Sequence, residues 1–67
     1  MKELIAKLVA ERRRAGVLQG ALAARIGVDG PHLCRWEHGT SRPCLENLVA
    51  WANALGFDLA LTKRGAP

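Results

Sequence analysis

The apolar residues of this chain keep helical spacing for most of its length and then switch to strict alternation. Leu4, Ile5, Leu8 and Val9 recur at the interval that gathers side chains on one face of a helix with about 3.6 residues per turn, and Gly16 supplies a stop, so a first helix is predicted over Lys2 to Ala15. Leu22, Ala23 and Ile26 define a second, short helix from Gln19 to Ile26, closed by Gly27. Asp29 is a natural N-cap for a third, with Pro31 in the first turn, where its missing N–H has no intrahelical partner to lose. That helix runs to about His38, and Gly39 fits its C-terminal cap. After the loop GTSRPC, the run Leu45, Leu48, Val49, Ala52 and Leu55 makes a fourth helix, ended by Gly56. In FDLALTK the period changes: Phe57, Leu59 and Leu61 alternate with Asp58, Ala60 and Thr62, a strand signal. A lone strand cannot satisfy its own edges and must pair with something.

Projection at about 100° per residue sorts the faces of these helices. On helix three, Leu33 and Trp36 point together, while Pro31, Arg35 and His38 lie about 140–200° from Leu33 on the opposite side. Glu37 falls only about 40° from Leu33, which brings a carboxylate beside the core. On helix one, Arg12 lies about 80° from Leu4, within the apolar stripe. The economical solution is a bidentate pair between Arg12 and Glu37, tying helix one to the end of helix three; the bland alternative is an arginine that snorkels past its own stem.

Composition narrows the class. With 67 residues the chain can form one small domain of marginal stability, for which a second copy is a natural source of help. Apolar residues at 49% and charged residues at 24% describe a globular chain rather than a disordered tail. The net charge of +4 and pI near 9.8 favour a polyanionic partner without choosing between nucleic acid and membrane. No apolar run reaches the roughly 20 residues of a membrane span, and the residues after Met1 do not read as a signal peptide, so a cytoplasmic location is expected, with Cys34 and Cys44 as reduced thiols.

His32, Cys34, His38 and Cys44 invite a zinc reading, with Cys34 and His38 four apart on one helical face. Their spacing matches no standard finger, and the projection scatters them. No Ser-His-Asp order, paired carboxylates or Gly-rich phosphate loop can be assembled, so neither enzyme, metal nor cofactor is expected. Arg13 and Arg14 remain for water or a polyanion once Arg12 is directed inward. Trp36 and Trp51, at helical spacing, read as core or interface residues rather than base-stacking platforms.

Gln19, Leu22-Ala23, Gly27-Val28, Trp36-Glu37, Gly39, Arg42-Pro43, Leu48 and Ala54-Leu55-Gly56 stand in an order that resembles the helix-turn-helix of the lambdoid phage repressor and Cro family, also called the XRE family. The similarity covers Leu18 to Gly56, and that family often has an arginine at Arg12 paired with the glutamate at Glu37. The resemblance implies an all-α, compact four- to five-helix domain over residues 1–56, with the helix-turn-helix at about 19–38. Its third helix would enter the major groove of double-stranded DNA, usually as a homodimer on a pseudo-palindrome. By position, Gly30, Pro31, His32 and Arg35 become base readers; Gln19, His38, Thr40, Ser41 and Arg42 become phosphate contacts. The tail resembles that of HipB-type antitoxins, in which a short strand pairs with its copy. Residues 57–64 are therefore expected as a dimerisation strand, with Phe57, Leu59 and Leu61 joined by Trp51 at the interface, and 65–67 as a tail.

The sequence departs from its relatives where bases are read. Gly30 and Pro31 stand where Gln or Ser is common, and neither can donate or accept through a side chain. Asp29 brings a negative charge near phosphates, and Gly20 interrupts helix two where Glu is usual. Arg35 is then the main reader, with a geometry suited to guanine O6 and N7, and DNA shape supplies the rest. Two readings of function follow. The first is a sequence-specific repressor or autoregulator; the second is an antitoxin or interaction module whose main partner is a protein.

Overall fold

The computed structural model describes residues 2–60, which fold into four helices: α1 (Lys2–Arg14), α2 (Gln19–Ile26), α3 (Gly30–His38) and α4 (Leu45–Ala54). The boundaries follow the chemistry of the ends. Asp29 caps α3 by accepting the backbone N–H of His32 at 2.8 Å, and Pro31 sits in the first turn. Gly27, at φ 88°, closes α2 in the left-handed region that residues with a Cβ rarely adopt, and the N–H of Val28 returns to the Ala23 carbonyl at 3.0 Å. That reversal turns the chain between α2 and α3 within the short turn Gly27–Asp29.

Each helix buries one stripe. Ile5 and Leu8 of α1, Leu22 and Ala23 of α2, Leu33 and Trp36 of α3, and Leu48, Trp51 and Ala52 of α4 form a single cluster. Helix α2 packs on both α3 and α4, and α1 packs on α3, so α3 is braced from two sides. Ala23, 1% exposed, is the small residue at the α2 contact. The indoles of Trp36 and Trp51 stack with centroids 6.3 Å apart and planes inclined by 28°. Ile26 and Val28 are half-buried against this cluster.

Two sequence expectations need correction. Leu45, read as the start of the apolar stripe of α4, is 73% exposed, and the stripe begins at Leu48. Trp51, expected at a dimer interface, is fully buried within its own chain and has no surface left for a second copy. Of the strand expected over residues 57–64, only residues 57–60 are described, and they are in no strand within this chain; the Phe57 N–H donates to the Ala52 carbonyl at 2.9 Å, closing α4. Leu59 packs against the chain's own core, whereas Phe57 is 45% exposed. Leu61 and the remainder of the expected strand and tail, residues 61–67, lie outside the described residues.

Candidate nucleic-acid interface

Helix α3 presents two faces because its apolar pair is buried and nothing among the described residues covers the other side. Leu33 and Trp36 are 0% and 3% exposed, while Pro31, His32, Arg35 and His38 are all exposed. Among the described residues the Arg35 guanidinium makes no hydrogen bond or ion pair. Its backbone is fixed from behind: the Arg35 carbonyl accepts the N–H of Thr40 at 3.0 Å and the Thr40 hydroxyl at 3.2 Å. A guanidinium free at its tip and anchored at its backbone can offer a planar fork of donors to a partner's acceptors.

The first turn offers less. Gly30 has no side chain and Pro31 only an aliphatic ring. His32 lies between two neighbours: its Nδ1 is 3.6 Å from Asp29 Oδ1, and its ring meets Trp36 edge-on with centroids 5.5 Å apart. The ring is thus braced by the residue that caps the helix and by the residue that anchors it.

At the opposite end a buried polar knot ties three helices and a loop. Arg12 donates through Nε to Glu37 Oε2 at 2.7 Å, through Nη2 to Glu37 Oε1 at 2.9 Å, and through Nη1 to the Val17 carbonyl at 2.9 Å. Gln19 Nε2 donates to Glu37 Oε1 at 2.9 Å. The Arg12 and Glu37 side chains are 10% and 5% exposed, so this bidentate pair is screened little by water. The bond from Gln19 has no signal in helical periodicity, since it depends on the path of the α1–α2 loop. It leaves one N–H of the Gln19 amide for another acceptor.

Of the loop residues, Arg42 is exposed and its guanidinium has no partner among the described residues. The exposed Thr40 hydroxyl donates to the Arg35 carbonyl, and Ser41 Oγ is covered without a hydrogen bond among the described residues. His38 Nδ1 donates to the Cys34 carbonyl at 2.8 Å, leaving Nε2 outward of that bond. Arg14 is engaged by Glu11 at 2.8 Å, so among the described residues Arg13 is the member of the arginine run without an ion-pair partner. Cys34 and Cys44 are free thiols, and among the described residues no three His, Cys, Asp or Glu side chains gather as a metal site. No described helix is long and apolar enough to cross a membrane. Leu18, 77% exposed, joins Leu45 and Phe57 as a large apolar side chain left in water; periodicity gave no warning of it because Leu18 precedes α2.

No curated protein and no solved structure compared with this chain matches it. Over residues 8–61, which take in the α2–turn–α3 unit and α4, the chain matches the family model described as Helix-turn-helix, and it belongs to that family of DNA-binding regulators.

Proposed function

We propose that the protein is a sequence-specific regulator of transcription, acting as a repressor or autoregulator by laying α3 in the major groove of an operator. The observation that carries this reading is the exposed Arg35, without a partner among the described residues, on the face of α3 opposite the buried Leu33 and Trp36. Arg35 reads guanine, His32 contributes a weaker contact, and Gly30 and Pro31 let the backbone come close without donating. Gln19, His38 and Arg42 hold phosphates, Gln19 through the N–H that Glu37 leaves free. A second copy completes the binding unit, with Phe57 and the residues after it at the contact, since Phe57 is an exposed apolar side chain beside the expected strand.

A second reading, an antitoxin or interaction module, is favoured by the poverty of the first turn of α3 and by exposed Leu18 and Leu45. A salt titration on a duplex selected from a random pool separates the two. A regulator that neutralises about six phosphates shows log affinity falling with log salt at a slope of about −5, and keeps its preference for the selected site. Weak salt dependence with no preference among duplexes rejects the regulator reading. Analytical ultracentrifugation tests the dimer, which a monomer at micromolar concentration would exclude.

A further inference from the structure

We propose that the groove between the first turn of α1 and the α3–α4 loop seats the DNA backbone, with Lys2 as a phosphate contact that extends the footprint beyond α3. The inference rests on the DNA-binding reading above. Lys2, Ile5 and Ala6 line one side of this groove and His38, Arg42 and Pro43 the other, around a volume of ≈ 830 Å³. Pockets that take drug-sized ligands span about 300–1,000 Å³, so the space suits a sugar-phosphate segment better than one bare ion.

The chemistry of the groove matches that of the strand. Ile5 and Pro43 are buried and give an apolar floor for deoxyribose carbons, while Lys2, His38 and Arg42 are exposed and basic. Glu37 also lines the groove, but both of its carboxylate oxygens are engaged by Arg12 and Gln19, which offsets its charge. His38 and Arg42 are already assigned to phosphates, and each strand carries about one charge per 3.4 Å of helix axis. A strand held by those two residues therefore offers further phosphates to a cation in the same groove. Lys2 supplies one, as a point charge on a flexible stem, from an element remote in sequence.

The test is a salt series with the selected duplex and the full chain, comparing wild type, Lys2→Ala, Lys2→Glu and Arg42→Ala. Lys2→Ala is expected to reduce the magnitude of the log–log slope by about 0.9, to weaken all duplexes alike and to leave the denaturation curve unchanged; Lys2→Glu weakens binding further. Unchanged affinity and slope in both Lys2 variants, with Arg42→Ala still reducing the slope, overturns the proposal and leaves the DNA reading intact. Binding of a glutamate-rich peptide that Lys2→Ala weakens, with DNA affinity untouched, overturns it in favour of a protein partner. Absence of salt-dependent binding by wild type is the separate failure of the DNA reading itself.

Discussion

At its C-terminal end α3 is held by Glu37, 5% exposed, whose carboxylate takes three hydrogen bonds from Arg12 and Gln19; at its N-terminal end it is held by Asp29, 68% exposed, with one bond to the backbone of His32. The first arrangement is expensive to disturb, because each partner left behind stays buried with a charge or donor unmet. The second is cheap, because water replaces what is lost. Helix α3 is therefore anchored rigidly at its C-terminal end and lightly at its N-terminal end.

This contrast is broken most severely by Glu37→Ala. The substitution strands the Arg12 guanidinium in a site that is 10% exposed and should cost about 3–5 kcal/mol of stability, read from urea denaturation. Arg35→Ala leaves both ends of α3 intact and should instead cost about 1–3 kcal/mol of discrimination between the selected duplex and one altered at its guanine, read by competition binding. Asp29→Ala should destabilise by only about 1 kcal/mol through the lost cap, while tightening DNA binding because a carboxylate leaves the vicinity of phosphates. A loss at Asp29 as large as that at Glu37 would dissolve the distinction between the two ends. Gly20→Ala should stabilise by about 0.5–1 kcal/mol, since a Cβ there meets nothing within 4 Å and the residue lies inside α2; a loss would point to a backbone approach by a ligand.

The smallest effect concerns His38. Its Nδ1 donates to the Cys34 carbonyl, which leaves Nε2 as the ring nitrogen available to a partner. His38→Gln should weaken binding of the selected duplex by about 1 kcal/mol or less, read from equilibrium binding titrations of the two proteins.

Much of the fold was legible because helical periodicity and end chemistry agree. Asp29, Pro31 and Gly39 mark α3 as clearly as Leu33 and Trp36 do, and the angular arithmetic that separates Arg35 from Leu33 needs only the helix pitch. What escaped were features set by tertiary path rather than local pattern. Leu45 carries the right spacing but occupies the first position of α4, ahead of the packed turns, and so remains in water. Trp51 could be assigned to a buried face, but whether its own chain or a second copy buries it depends on how α4 meets α3, and it stacks on Trp36. Phe57 alternates correctly for a strand, yet its N–H is consumed in closing α4. The site divides the same way: the identity of the outward side chains is read directly, whereas the bond from the Thr40 hydroxyl to the Arg35 carbonyl and the covering of Ser41 Oγ come from loop geometry that no periodicity encodes.

The edge-on contact between His32 and Trp36 carries one more consequence. Both indoles of the chain lie in the interior, one of them touching a ring that belongs to the exposed face of α3. Whatever displaces that imidazole alters the surroundings of a buried chromophore, so the molecule carries an intrinsic optical gauge of events on its outer face.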